Sequence, residues 1–313
     1  MKPRRLAAID VGTNTVLLLI AESKGPGDYR ILEDRAEITR LGEGVHRSGS
    51  LGDGGRQRTL DALKMYCARC HDLGVGEIRA AGTSALREAD NAGRFIRQVK
   101  AELGLELRAL SSREEAYYSF AAVERGLPPK GRQVLVVDVG GGSTELIWGR
   151  LGTLYRWASL PVGTVKLTER FLFSDPAEDG QCRRLTAAVD KEIHGDLLRW
   201  SDGASFDAMV GVAGTFTTLA AVSLALPEYR SDLVHGSELE RTEVQRQIEL
   251  FKTKTLEERK RIPGLEPKRA DVILAGALLI DRIMERFQLE RASVSDQGIR
   301  YGLLYEALSG TPR

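Results

Sequence analysis

The sequence predicts an α/β protein made of two similar domains, and two observations lead to this prediction. With 313 residues, the chain is long enough for two domains that each bury a core. A pattern of two short apolar strands joined by a hydroxyl-rich turn occurs near the N-terminus and again about 128 residues later, far beyond the period of a solenoid repeat. Asp10 and Asp138 end the first strand of the two copies. We therefore expect two mixed α/β domains that each offer one loop to a shared cleft.

Apolar periodicity and turn residues predict the individual elements in order. In the first half, strands are predicted over 6–11, 16–21, 29–36 and 77–81, and helices over 59–73, 90–103 and 114–125. Glycines and two prolines in segment 126–131 predict the boundary between domains 1–127 and 128–313. In the second half, strands are predicted over 134–138, 143–148, 154–159, 208–212 and 292–295, and helices over 186–200 and 214–224.

The bulk composition is that of an ordinary globular protein. The formal net charge is +1, which argues against a bulk nucleic-acid or membrane binder. No apolar run approaches the roughly 18 residues that a membrane-spanning helix needs. The polar residues Asp10 and Asn14 interrupt the first apolar stretch, so no signal peptide is predicted. We expect a cytoplasmic protein and a homodimer, with no nucleic-acid partner.

Two turns combine residue types that suit a phosphate group. Glycine lets backbone N–H groups approach an anion closely, and neighbouring hydroxyls can donate to the same oxygens. The first turn is expected to bind phosphate through Gly12, Thr13, Asn14 and Thr15. The second turn is expected to do so through Gly140, Gly141, Gly142, Ser143 and Thr144. An ordinary hairpin turn would explain one copy, whereas two copies flanked by strands favour phosphate binding.

Carboxylates at the same two turns predict a divalent cation. An aspartate repels phosphate directly, but it can hold a hydrated cation that bridges to the phosphate oxygens. The predicted metal ligands are Asp10, Asp138 and Glu145.

Two further segments suit an anion. Gly214 and Thr215 lie between an apolar strand and a helix, where the N–H groups of a helix N-terminus suit a negative ligand. The alternative is a plain turn that needs glycine for close packing. Arg87 follows Thr83 and Ser84 by one turn, and its guanidinium fork matches phosphate oxygens. The alternative here is an ordinary surface arginine.

Adjacent glutamates begin the helix predicted over 114–125. Ser111 with Glu114, or Ser112 with Glu115, has the spacing of a capping box. One glutamate therefore has a structural explanation, and the other is left to activate water.

The string from Cys67 to His71 matches the pattern for covalent attachment of c-type haem. The helical periodicity of residues 59–73 places Cys67 and Cys70 on one apolar face, which favours a structural helix instead.

Taken together, these segments resemble the exopolyphosphatase and guanosine pentaphosphate phosphohydrolase family. That family is a branch of the superfamily of acetate kinase, sugar kinases, heat-shock chaperones and actin. The resemblance covers nearly the whole chain and includes the strings Ile262 to Leu265, Lys268 to Asp271 and Ser295 to Arg300. It implies two actin-like ATPase domains, of the ribonuclease H-like kind, that flank a cleft.

The resemblance also implies roles for individual residues. The second glutamate of the family's Glu-Glu-Ala string is the catalytic base, which corresponds to Glu115 and leaves Glu114 as the cap. The family's glycine-rich loop binds phosphate and a divalent cation, Mg²⁺ or Mn²⁺, and its Thr-Ser-Ala-Leu-Arg string makes Arg87 a phosphate ligand. This chain departs from the family at Leu17, where many members have arginine, and at Ser112, where glycine is usual.

The expected activity is hydrolysis of the terminal phosphate of inorganic polyphosphate by in-line attack of water. Guanosine pentaphosphate is the alternative substrate. A kinase or ATPase of the same superfamily, and a sensor that binds alarmones or polyphosphate without catalysis, are the rival functions.

Overall fold

The computed structural model describes residues 3–25, 28–128, 133–197 and 205–309. The strands are β1 (Arg4–Val11), β2 (Thr15–Gly25), β3 (Asp28–Ile38), β4 (Glu77–Gly82), β5 (Leu107–Ala109), β6 (Val134–Val139), β7 (Thr144–Arg150), β8 (Thr153–Leu160), β9 (Ala208–Val212), β10 (Glu238–Glu240) and β11 (Arg291–Ser295). The helices are α1 (Val45–Ser48), α2 (Asp53–Asp72), α3 (Ser84–Glu88), α4 (Ala92–Leu103), α5 (Ser112–Gly126), α6 (Thr164–Phe171), α7 (Asp179–Leu197), α8 (Ala213–Ser223), α9 (Ser231–Val234), α10 (Arg241–Lys252), α11 (Leu256–Arg259), α12 (Ile273–Arg286) and α13 (Ile299–Ser309), with a 3-10 turn at Pro267–Arg269.

The two sheets share one topology. In the first sheet the strand order is β3-β2-β1-β4-β5, with antiparallel pairing of β1 to β2 and of β2 to β3, and parallel pairing of β1 to β4 and of β4 to β5. The second sheet repeats this order as β8-β7-β6-β9-β11, with the same directions, and adds β10 antiparallel to β11. The predicted α/β class with a repeated unit is therefore confirmed, as two mixed sheets.

The first sheet is covered by helices on both faces. Alternate residues of β1 point to opposite faces because the side-chain period of a strand is two. Ile9 belongs to the core that includes Leu63 of α2 and Phe95 of α4, whereas Leu6 belongs to a second core with Leu304 of α13. This double burial explains why β1 reads as a continuous apolar run.

The second sheet has a large core on one face. Leu135, Val137 and Val139 of β6 lie in one cluster with residues of α7, α8, α10 and α12. Phe216 of α8 is fully buried there, and its ring lies where a Cβ atom on Gly211 would be, at 2.2 Å from one ring carbon. The glycine in β9 therefore allows α8 to pack closely on the strand.

The chain divides into two compact units that differ from the predicted division 1–127 and 128–313. The first unit is Met1–Ala122 with Ile299–Arg313, and the second is Val123–Gly298. The last turn of α5 belongs to the second unit, where the Nε2 atom of His235 lies 3.1 Å from the carbonyl oxygen of Gly126. Helix α13 joins the first unit because it packs on the sheet through Leu304. Part of the predicted boundary segment 126–131, residues 129–131, lies outside the described residues.

The segment with the haem-like pattern is part of helix α2, as the periodicity predicted. Burial raises the pKa of the Cys67 thiol and, more strongly, that of Cys70, to about 12. Both cysteines therefore serve as packing residues of the helix.

Candidate active site

The predicted site residues of the first unit follow strands that end at one edge of the sheet. Strands β1, β4 and β5 are parallel, with Val11 opposite Gly82 and Gly82 opposite Ala109. Their carboxyl ends lead to the first predicted phosphate turn, to α3 and to α5. Ligands of α/β proteins bind at this edge of a sheet.

The first turn is a tight hairpin between β1 and β2. The Gly12 N–H donates to the Thr15 carbonyl at 2.9 Å, and a Cβ atom on Gly12 would lie 2.9 Å from the same oxygen. The turn therefore needs glycine at this position for a close approach. The buried hydroxyl of Thr13 lies 3.0 Å from that of Ser84, which joins the turn to α3.

Backbone hydrogen bonds fix the orientation of this turn. The Thr13 carbonyl accepts from Gly42 N–H at 2.9 Å, and the Asn14 carbonyl accepts from the N–H groups of Thr39 and Arg40, both at 3.0 Å. In a trans peptide the C=O and the next N–H point in opposite directions. The N–H of Asn14 is therefore directed away from the segment that holds the turn, as a phosphate-binding turn requires.

The predicted base and the predicted phosphate-binding arginine form an ion pair. The Nη1 atom of Arg87 donates to Oε1 of Glu115 and also to the Leu110 carbonyl, at 3.0 Å. The Glu115 side chain is only 2% exposed, whereas the Arg87 side chain is 25% exposed. A buried carboxylate needs such a partner, because an uncompensated charge in this environment is costly.

Glu114 is the capping glutamate, which is one of the two assignments that the spacing allowed and the one that the resemblance implied. Its Oε2 accepts from the Ser111 N–H and hydroxyl at 2.8 Å each, and the Ser111 hydroxyl receives the Glu114 N–H at 3.3 Å. Partial burial raises the pKa of the Glu114 carboxyl, but hydrogen bonds from Ser111 and Arg108 outweigh this and hold it below its usual value. Glu114 therefore stabilises the start of α5.

The second turn places two carboxylates side by side. Asp138 on β6 and Glu145 on β7 are cross-strand partners, so both side chains point to one face of the sheet. Both residues are buried, and the Ser159 hydroxyl donates to Oε1 of Glu145 at 2.8 Å. In the first turn the corresponding partner of Asp10 is Leu17. The first hairpin therefore offers one carboxylate where the second offers two.

The glycine-rich turn is fixed by the N-terminus of α6. The Gly140 and Gly141 carbonyls accept from the N–H groups of Thr164 at 3.0 Å and Val165 at 2.9 Å. Because these carbonyls face α6, the N–H groups of Gly141 and Gly142 point the opposite way. The first N–H groups of α6 therefore have hydrogen-bond acceptors, and the N–H groups of Gly141 and Gly142 are directed away from the helix.

The hydroxyls of this turn have different surroundings. The Thr144 hydroxyl is fully buried and donates to the Val162 carbonyl at 2.7 Å, so its hydrogen holds the strand in place. Ser143 is also buried, and its carbonyl accepts from the Gly140 N–H at 3.0 Å. This bond matches the one that closes the first turn, so the two hairpins have equivalent geometry.

A strained turn opens α8 next to the glycine-rich turn. Ala213 has a φ of 70°, an uncommon value for a residue with a side chain, and it precedes Gly214. The Thr215 hydroxyl donates to the Val139 carbonyl at 3.3 Å, which ties α8 to the end of β6. The guanidinium of Arg269 packs against Gly214, where an added Cβ atom would lie 2.2 Å from Nη1.

The described residues contain no group of three or more histidine, cysteine, aspartate or glutamate side chains arranged to hold a metal ion. Asp138 and Glu145 are two carboxylates that the strand register brings together at this turn. Among the described helices, none has the length and apolar character that crossing a membrane requires.

Comparison with known proteins shows which family the chain belongs to. A family model described as the Ppx/GppA phosphatase family matches residues 19–310. The chain belongs to this family. A phosphatase was the predicted class of enzyme, and the match confirms it; the substrate is not fixed by the match.

Similarities to individual proteins agree with this assignment. The exopolyphosphatase 2 of Mycobacterium tuberculosis is 31% identical over 314 residues, which cover 96% of this chain and 97% of that protein. A bifunctional 3-dehydroquinate synthase/phosphatase of Fusobacterium nucleatum is also 31% identical, but the match spans only 46% of its length. The crystal structure of the Aquifex aeolicus family member has a TM-score of 0.82 and 35% identity, and it covers 99% of this chain and 100% of that one.

The structure of this Ppx/GppA member adds residues to which the sequence analysis gave no role. Gly163 lies against the glycine-rich turn, where an added Cβ atom would be 2.5 Å from the Gly141 carbonyl. Ser159 and Arg269 contact Glu145 and Gly214, as described above. Ser159 and Gly163 lie within no recognisable string. Arg269 lies within the string Lys268 to Asp271, which carries the family resemblance but gave no role to this arginine. All three are far along the chain from the residues they contact, or on another element, so the sequence did not indicate these contacts.

Proposed function

We propose that this protein is an exopolyphosphatase, which removes the terminal phosphate of inorganic polyphosphate by attack of water. The observation that supports this most strongly is the glycine-rich turn, with two backbone donors directed away from α6 and a carboxylate pair on the adjoining strands. An anion and a cation bound close together are what phosphoryl transfer requires. The similarity to a mycobacterial exopolyphosphatase favours polyphosphate as the substrate.

The phosphate oxygens would be bound mainly by backbone N–H groups, whose positions are fixed by the fold. The N–H groups of Gly141 and Gly142 donate, together with the hydroxyl of Ser143 and the N-terminus of α8 at Gly214 and Thr215. Thr144 positions the turn, because its hydroxyl is bonded to the Val162 carbonyl. Fixed donors of this kind stabilise developing charge without rearrangement during the reaction.

Asp138 and Glu145 fit a divalent cation. Magnesium commonly takes one or two protein carboxylates and completes its shell with water and substrate phosphate. The adjacent, buried carboxylates provide such a pair, and the hydroxyl of Ser159 orients one of them. When bound, the cation would neutralise charge on the phosphate oxygens. A metal role for Asp10 stays a prediction.

Glu115 would position the attacking water and receive its proton. A bond forms between the water oxygen and the terminal phosphorus, and the bridging P–O bond breaks. The electron pair of that bond leaves with the shortened chain, and the water proton passes to the Glu115 carboxylate and then to solvent. Arg87 supplies positive charge beside this carboxylate.

Guanosine pentaphosphate is the second candidate substrate, because the family that the sequence resembles includes guanosine pentaphosphate phosphohydrolases. Its terminal phosphoric anhydride needs the same chemistry. The cytoplasmic location and the homodimer stay predictions.

The test is phosphate release from polyphosphates of defined length and from guanosine pentaphosphate, side by side with magnesium. The proposal expects release from polyphosphate with the higher kcat/KM. Faster release from guanosine pentaphosphate would replace the proposed substrate by the second candidate. Binding without any release would indicate a sensor, and phosphate transfer from ATP to an added acceptor would indicate a kinase. Either result would overturn the proposal.

A further inference from the structure

The ion pair between Arg87 and Glu115 uses only part of the arginine's guanidinium group. Arginine has five N–H donors, two of them on Nη1. The donors of Nη1 are directed to the Leu110 carbonyl and to Glu115 Oε1. Within the described residues, Nε and Nη2 make no hydrogen bond to protein. Three donors of the same rigid plane thus remain for another acceptor.

Burial indicates where that acceptor would come from. Glu115 is almost completely enclosed, whereas a quarter of the Arg87 side chain is exposed. The Leu110 carbonyl fixes the guanidinium from the protein side, and Arg87 is on the short helix α3, whose Ser84 contacts the first phosphate turn through Thr13. A ligand reaching this edge of the sheet would therefore meet the outer side of the guanidinium while its inner side holds the base.

We propose that Arg87 is a bridging residue that holds Glu115 through Nη1 and the terminal phosphoryl group through Nη2 and Nε. This inference rests on the proposed hydrolase function and assigns Arg87 a second task beyond binding phosphate. A planar guanidinium that touches both groups fixes the separation between carboxylate and phosphorus. The attacking water occupies the space between them, so its approach is set by one rigid side chain.

Lysine cannot replace arginine in this role. Its ammonium group is a point charge on a flexible stem, and it has no planar fork to hold two partners at a fixed spacing. Arg87→Lys keeps a positive charge for substrate binding and for Glu115, but loses the fixed geometry. The expected result is a fall in kcat of about 30-fold to 100-fold, the scale of a misplacement of about 1 Å, with a change in KM of less than about threefold.

A double-mutant cycle tests whether Arg87 acts through Glu115. Phosphate release from tripolyphosphate is measured for wild type, Arg87→Lys, Glu115→Gln and the double variant. If Arg87 positions the base, Arg87→Lys should change kcat less than about threefold in the Glu115→Gln background, because no base remains to be positioned. If Arg87 only binds phosphate, Arg87→Lys should lower kcat by the same factor in the wild-type and in the Glu115→Gln background. That result would overturn the inference.

Binding and a control variant complete the experiment. Tripolyphosphate affinity, measured by calorimetry on Glu115→Gln with and without Arg87→Lys, should change less than about threefold, because lysine keeps the positive charge that attracts the anion. Arg108→Lys is the matched control, because Arg108 pairs with the neighbouring Glu114 and should leave kcat unchanged. If wild type releases no phosphate from any substrate, the proposed function fails; if wild type is active but the cycle is additive, only the bridging role fails.

Discussion

Replacing Gly163 by alanine tests whether the glycine-rich turn must stay where α6 holds it. Gly163 has extended backbone angles that alanine adopts without strain, so any effect is steric. The new Cβ atom would lie 2.5 Å from the carbonyl carbon and oxygen of Gly141 and 2.6 Å from the Gly142 nitrogen. Ordinary contact begins at 3.4 Å, so the backbone of the turn must move by about 0.9 Å.

A shift of this size should lower the catalytic rate strongly. A misplacement of about 1 Å can cost about 100-fold in rate, so kcat/KM for tripolyphosphate should fall by about that factor. Crowding of a packed region should also cost about 1–3 kcal/mol of stability. Phosphate release would be measured at a temperature where both proteins are folded. Thermal unfolding would be measured on the same preparations.

Gly195→Ala in α7 is the matched control for this substitution. An added Cβ atom there meets no other atom within 4 Å, so activity should be unchanged. Stability should stay equal or rise by up to about 1 kcal/mol, since alanine favours the helix. If Gly163→Ala is folded and has wild-type kcat/KM, the placement of the turn by α6 does not govern phosphate binding, and the reasoning is wrong.

The further predictions concern four single side chains. Glu115→Gln should lower kcat about 100-fold or more, whereas Glu114→Gln should keep kcat and lose about 0.5–1 kcal/mol of stability; the opposite pattern would invert the two roles. Because the folded-state pKa of Glu114 is lowered, its stabilisation is complete above the unfolded pKa and is lost as pH falls through the folded value, so the unfolding free energies of wild type and Glu114→Gln should converge in acid. Thr144→Val should cost about 1–3 kcal/mol by leaving the buried Val162 carbonyl unpaired, and unchanged stability would count against this. Glu145→Gln should raise the magnesium concentration for half-maximal activity by about tenfold or more, and full activity in chelator would remove the metal role.

Features set by neighbouring residues could be predicted from the sequence. The repeated turn at Asp10 and Asp138 was visible because an apolar strand, a glycine turn and a second strand follow within a few residues. Both turns form hairpins with equivalent closing bonds. The spacing to Ser111 likewise made Glu114 one of two candidate capping residues, and the structure shows that it is the one used. In each case the interaction is local, so the order of residues along the chain determines it.

Features made by packing between distant segments could not be predicted. Arg87 and Glu115 were each singled out, but their ion pair depends on β4 and β5 lying side by side in the sheet. Thr144 was expected to donate to phosphate, whereas its hydroxyl bonds to the carbonyl of Val162, a residue on the loop between β8 and α6. Helix α13 packs on the first sheet although it is at the other end of the chain. Hydrophobic periodicity shows that a face is buried, but it does not show which surface covers it.

Hydrolysis of tripolyphosphate in ¹⁸O-labelled water tests the central claim, which is attack of water on the terminal phosphorus. Attack at this atom forms the new P–O bond on the phosphate that leaves, so inorganic phosphate should carry one labelled oxygen and pyrophosphate none. Mass spectrometry of both products after a single turnover, with Glu115→Gln as the slow control, gives the answer. Label in pyrophosphate together with unlabelled phosphate would mean attack at the middle phosphorus. That result would contradict the account of the site as an exopolyphosphatase centre.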